Sequence, residues 1–272
     1  TTMRTGWILL TLCLAGLWTP QASPEELRVG AASSLQDALR DIAAAYEKQS
    51  GTKVLLHFGS SGQIMSQVRN GAPVDVFISA ADRQVNELEK EGLVLPKTRR
   101  VIAGNALVLI VPSQVREAPG SFEALASAGV KRVAIGEPKT VPAGQYAMQL
   151  LEKAGVADSL RRRLVYGTNV RQVLGYVERG EVTAGIVYAT DAKAAGDKVR
   201  VAAVADAAWH DPVVYPAVVV TASKRRDASV RFLDYLSSDA ARAVLEEKGF
   251  TAGEANARDA GPAIVPDGAG AR

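Results

Sequence analysis

The sequence predicts an α/β fold of two units, each a mostly parallel sheet flanked by helices. Three observations lead there. Short apolar runs alternate with stretches whose apolar residues recur at helical spacing, the pattern of a parallel sheet covered by helices. The length, 272 residues, suits two domains of ordinary size or one large α/β unit. Hydrophobic residues make up 47% and charged residues 22%, close to a soluble globular average, which excludes a disordered chain, a collagen-like repeat and a multi-span membrane protein.

Taken in order, Leu27 to Ala32 reads as a strand, and Leu35, Ala38, Leu39, Ile42 and Tyr46 mark the helix after it. Val54 to Phe58 is a second strand, followed by a short helix with Ile64, Met65 and Val68. Val74 to Ile78 is a third strand, and Val85 with Leu88 mark the next helix. A second unit follows. Ala106 to Val111 is a strongly apolar strand ended by Pro112, and Val133 to Gly136 is another. A helix with Tyr146, Leu150 and Leu151 comes next, and Val170, Val173, Leu174 and Val177 form a further helical face. Ala184 to Tyr188 and Val213 to Val220 are strands. Two helices close the pattern, one with Phe232, Leu233 and Leu236, the other with Val244 and Leu245. There is no repeat of 20–50 residues.

The ends read differently. Residues 1–22 predict a signal peptide: Arg4 supplies a positive start, residues 7–18 are an apolar run, and Ala22 before Ser23 is a cleavage point. The run falls short of the ~20 residues a membrane span needs, and Leu12 before Cys13 argues against a lipoprotein. Cleavage would remove the single cysteine and suit the chain to an oxidising periplasm. Residues 252–272, rich in Ala, Gly, Pro and Asp, read as a disordered tail. The net charge of +3 is a small surplus and not a basic patch, so nucleic-acid binding is not indicated. One Cys and two His cannot build a structural zinc site.

Several motifs mislead. Gly59-Ser60-Ser61-Gly62-Gln63 resembles a nucleophile elbow, but Gln63 stands where the second Gly belongs. His57 lies on a predicted strand and His210 in a loop, so each reads as structural or exposed. Neither a Walker A motif nor a G-x-G-x-x-G fingerprint is present. What recurs is small residues where strands give way to helices: Ala32-Ser33-Ser34, Gly59-Ser60-Ser61-Gly62, Val141-Pro142-Ala143-Gly144 and Thr168-Asn169-Val170. A helix N-terminus leaves up to four backbone N–H groups unpaired and carries about half a positive charge. Any one such serine is more simply a helix cap. Four termini converging on one cleft would form an anion site without a charged side chain. Hydroxyls and amides that only donate suit a fully ionised tetrahedral dianion such as molybdate, tungstate or sulfate. Phosphate needs an acceptor for its remaining proton, and these clusters offer no carboxylate.

The runs Val29-Gly30-Ala31-Ala32-Ser33-Ser34-Leu35, Phe58-Gly59-Ser60-Ser61-Gly62, Gly71 to Ala80, Gly136 to Gly144, Asn169-Val170-Arg171 and Gly185-Ile186-Val187-Tyr188 together resemble the periplasmic molybdate-binding proteins of ABC transporters. The resemblance covers about residues 27–251. It implies a two-lobed type II periplasmic-binding fold with the ligand cleft between the lobes. It also implies the oxyanion contacts: the hydroxyls of Ser34, Ser61 and Tyr188, and the backbone N–H groups of Ala143 and Val170. Molybdenum would be held only as molybdate, through these same residues. Ser33 stands where many members have Ala and could compete with Ser34, and the tail has no evident counterpart. On this pattern residues 26–105 with 216–251 form lobe one and residues 106–215 form lobe two. The expected function is capture of molybdate, with tungstate, and delivery to an ABC-type membrane permease. The chain would be a monomer that is not an enzyme and needs no cofactor. The alternatives are a sulfate or other oxyanion receptor of the same fold and, distantly, a serine hydrolase using Ser61.

Overall fold

The computed structural model describes residues 25–253. The expected signal peptide (1–22) and all but the first two residues of the expected tail (252–272) lie outside the described residues. The first sheet holds β1 (Glu26–Ala32), β2 (Lys53–Gly59), β3 (Val76–Ile78), β4 (Arg100–Gly104) and, from far along the chain, β10 (Val214–Val219), in the order β2-β1-β3-β10-β4. The second holds β5 (Leu107–Pro112), β6 (Val133–Gly136), β7 (Leu164–Gly167), β8 (Ala184–Tyr188) and β9 (Val199–Val204), in the order β7-β6-β8-β5-β9. The two orders have the same form. In each, three parallel strands are followed by one that runs against them, β10 in the first sheet and β5 in the second. The outermost strand beyond is antiparallel to that reversed strand, so it runs with the original three. The expected parallel sheets are therefore mixed, and the reversed strands follow the two crossings of the chain between lobes. β10 pairs with the first sheet from Val214, opposite Gly104.

Helices flank both sheets. In the first lobe α1 (Gln36–Ser50), α8 (Arg226–Leu236) and α9 (Asp239–Glu247) pack together beside β2, β10 and β4, while α2 (Ser61–Arg69) and α3 (Asp82–Lys90) pack on β1 and β10. The pleat of β3 separates the two layers. Val76 and Ile78 join the main core, and Phe77 between them joins a second cluster with Ile64, Val85 and Leu88. In the second lobe α4 (Pro142–Lys153), α6 (Val170–Glu178) and α7 (Ala189–Ala195) cover the sheet, with the short α5 (Ala157–Leu160) beside α4.

Local chemistry sets where the helices begin. Ser60 caps α2 through a capping box with Gln63. Pro142 occupies the first turn of α4, where its missing N–H costs nothing. The Asn169 side chain accepts from Gln172 N at 3.0 Å and starts α6. Gly144 lets α4 close on β6, because a Cβ there would stand 2.0 Å from Gly136 O. Three strands were not predicted: β4, β7 and β9.

Candidate functional site

The helix starts at the facing edges of the two sheets meet around one small cavity. Ser34, Ser61, Ala143, Val170 and Tyr188 all line it, as do Ser33 and Ser60. None of the five expected contacts is more than 3% exposed, so the lobes are closed over them. The cavity has no charged side chain in its lining.

Each contact presents a donor. Ser61 is fully buried, and its Oγ accepts from Ala80 N at 3.0 Å, which leaves the hydroxyl proton free to point inward. Its neighbour Ser60 spends its side chain on the α2 cap, accepting from Gln63 N. The two adjacent serines thus divide the two roles a serine at a helix start can play. Ser34 Oγ lies 3.0 Å from Tyr215 Oη. Ala143 and Val170 sit in the first turns of α4 and α6, where backbone N–H groups have no partner within the helix and meet the positive end of its dipole. Tyr188 closes the cavity from the end of β8. Its Oη is buried with no hydrogen-bond partner among the described residues, and burial pushes its pKa well above the ordinary tyrosine value. It is a neutral donor in want of an acceptor.

Charge lies one residue away. Arg171, beside Val170, sets Nη2 2.8 Å from Asp37 Oδ2 on α1 and Nε 2.7 Å from Asp191 Oδ1 on α7. It joins the two lobes. Burial opposes its charge, but the pull of Asp191 and Asp37 outweighs this and holds its pKa above the ordinary arginine value. Asp191 is fully buried, and desolvation raises its carboxyl to about 6 against the downward pull of Arg171. Its Oδ2 accepts from Tyr188 N at 3.3 Å. Further contacts cross between lobes, among them Gly62 N donating to Thr140 O at 2.9 Å, Tyr146 Oη donating to Ala80 O at 3.3 Å and Lys193 Nζ donating to Glu247 O at 2.6 Å.

Neither histidine joins this site. His57 is exposed on β2 with Nε2 3.3 Å from Gln67, and His210 pairs with Asp211 O. Among the described residues no cluster of His, Cys, Asp and Glu could hold a metal ion. Sequence reasoning missed Tyr215, Asn105, Asp37 and Asp191 as neighbours of the site. Ser34 and Tyr215 are 181 residues apart, and nothing local marks the pair. Arg171 stood in a recognised motif, without its role.

Two α/β lobes closed over an uncharged pocket of donors define a ligand-binding protein of the type II periplasmic class. The chain belongs to the bacterial extracellular solute-binding protein family, which it matches over residues 27–251. Among its relatives, the molybdate-binding protein ModA of Haemophilus influenzae is 39% identical over 90% of this chain and 97% of its own length. ModA of Escherichia coli is 35% identical over 85% of this chain and 90% of its own. The periplasmic molybdate-binding protein of Azotobacter vinelandii superposes with a TM-score of 0.74 at 26% identity, covering 83% of this chain and 98% of that one.

Proposed function

We propose that this chain captures molybdate, and tungstate alike, in the periplasm and hands it to an ABC-type permease. It acts as a monomer, without catalysis and without a cofactor. The observation that carries this reading is the closed cavity whose five contact residues all present donors and no charge. Ser34 and Ser61 supply hydroxyls from the first lobe. Ala143 and Val170 supply backbone N–H groups from the second, with the Tyr188 hydroxyl. Each group donates to an oxygen that carries negative charge throughout, and none requires a proton from the ligand. Binding draws the two lobes onto one ion, so closure and capture are one event. The relatives named molybdate-binding support the choice of ion.

A serine hydrolase is disfavoured by Ser61 itself, which accepts from Ala80 N and has no histidine bonded to it as a base. Sulfate meets the same donor chemistry and is the rival ligand. Thermal melts with molybdate, tungstate, sulfate and phosphate test the choice. A ligand at 100 times its Kd adds ~2.7 kcal/mol, so molybdate and tungstate should raise Tm by several degrees and the others far less. An equal rise with sulfate overturns the molybdate assignment.

A further inference from the structure

Ser34 is the one contact whose donor direction depends on residues outside the cavity. We propose that Asn105 and Tyr215 form a hydrogen-bond relay that makes Ser34 an obligate donor to the bound oxyanion. The relay rests on the reading of Ser34 as an oxyanion contact.

The relay starts from a fixed point. Ala106 N donates to Asn105 Oδ1 at 2.9 Å, which settles which end of the amide is which. Asn105 Nδ2 then donates twice, to Thr190 Oγ1 at 2.8 Å and to Tyr215 Oη at 3.1 Å. Tyr215 is fully buried, and its remaining partner is Ser34 Oγ at 3.0 Å. Two directions are open for that last bond. If Ser34 donated to Tyr215, the phenolic proton would be left buried with nothing to accept it, and the cavity would face serine lone pairs. If Tyr215 donates to Ser34, every proton in the chain is placed except that of Ser34, which turns to the cavity. A buried unsatisfied donor costs far more than a rotated hydroxyl, so the second direction holds. Burial also keeps Tyr215 protonated, with its pKa well above the ordinary value.

Asn105 sits between β4 and β5, where the chain first crosses between lobes, and Tyr215 lies on β10, where it returns. The relay therefore runs through both crossings. Its members are positioning residues: they touch no ligand and act through Ser34.

A double-mutant cycle on molybdate affinity, read by calorimetry, tests this. Tyr215→Phe should weaken binding about tenfold in the otherwise native chain and less than about twofold in the Ser34→Ala background. The ligand-free melt confirms that each variant folds. An equal loss in both backgrounds means that Tyr215 acts on the structure generally, and overturns the relay while leaving the site intact. Unchanged affinity in Ser34→Ala alone overturns the site reading and the relay with it. If Tyr215→Phe does not fold, Asn105→Asp replaces it. The new carboxylate accepts the phenolic proton and turns that of Ser34 away from the cavity. Its negative charge weakens binding in both backgrounds, so the relay predicts a larger loss with Ser34 present, and an equal loss overturns it.

Discussion

The cavity and the Arg171 ion pair beside it handle charge in opposite ways. The cavity is lined by no ionised side chain, yet the ligand proposed for it is a dianion. One residue along α6, a full positive charge is shared between two carboxylates and is not offered to the cavity. The difference is one of desolvation. A bare arginine in the cavity would have to be stripped of water each time a ligand was taken up, whereas amides and hydroxyls on helix starts change little between empty and filled states. The full charges are paired with one another outside the cavity: Arg171 with Asp191 within the second lobe, and with Asp37 across to the first when the lobes are shut.

The sharpest way to break this contrast is Arg171→Met. It leaves Asp191 buried without its cation, at a cost of about 3 kcal/mol in denaturant unfolding. The loss should depend on pH. The Asp191 carboxyl is raised from 3.8 to about 6 in the fold, so between those values the folded chain holds a proton that the unfolded chain has released. Its contribution to stability therefore falls as pH climbs through that window. Removing Arg171 raises this pKa further and extends the window upward, so the variant should be closer to the native chain at pH 5 than at pH 8. A deficit equal at both would show that Asp191 is not the group responsible.

Inside the cavity the main effects should fall on binding, although Ser61→Ala also strands Ala80 N without its acceptor and should lower stability as well. Ser61→Ala and Tyr188→Phe each remove one bond to a charged oxygen, worth about 1.5–3 kcal/mol, and titration calorimetry should show at least a tenfold weaker molybdate Kd. Tyr188→Phe also removes a buried hydroxyl with no protein partner, so the ligand-free variant should melt no lower than the native chain. A lower melt would mean the hydroxyl serves the fold.

The smallest effect separates the two halves of the ion pair. Asp37 is 41% exposed at its side chain while Asp191 is buried. Asp37→Asn should therefore cost only about 0.5–1 kcal/mol and shift the pH window only slightly downward, because the Asp37 charge is the smallest of the influences on Asp191. Matched denaturation curves for Asp37→Asn and Arg171→Met would show whether the cost follows burial.

The sequence carried the core of each lobe better than its margins. Central strands such as β3 and β8 are buried on both faces and read as continuous apolar runs. The unpredicted strands, β4, β7 and β9, all lie at the outer edge of a sheet. There one neighbour and partial exposure allow a mixed composition such as Val-Arg-Val-Ala-Ala-Val. The same asymmetry holds at the site. The helix starts were legible because capping and small-residue signals are local. Ser60 and Ser61 looked alike, and their bonds distinguish them: Ser60 caps α2 with Gln63, while Ser61 accepts from the distant Ala80 N. Tyr215, Asn105 and Asp191 take their roles from contacts between distant segments, and no spacing in the chain encodes those.

The contact between Gly62 and Thr140 offers a clock for the motion itself. That amide proton crosses from one lobe to the other, so it is sheltered only while the lobes are shut. A methyl group at position 62 would stand 2.6 Å from Thr140 O, which makes glycine the residue that allows the two backbones to touch. Deuterium uptake at this single position therefore counts openings, and a filled receptor should slow it in proportion to the time the ion stays.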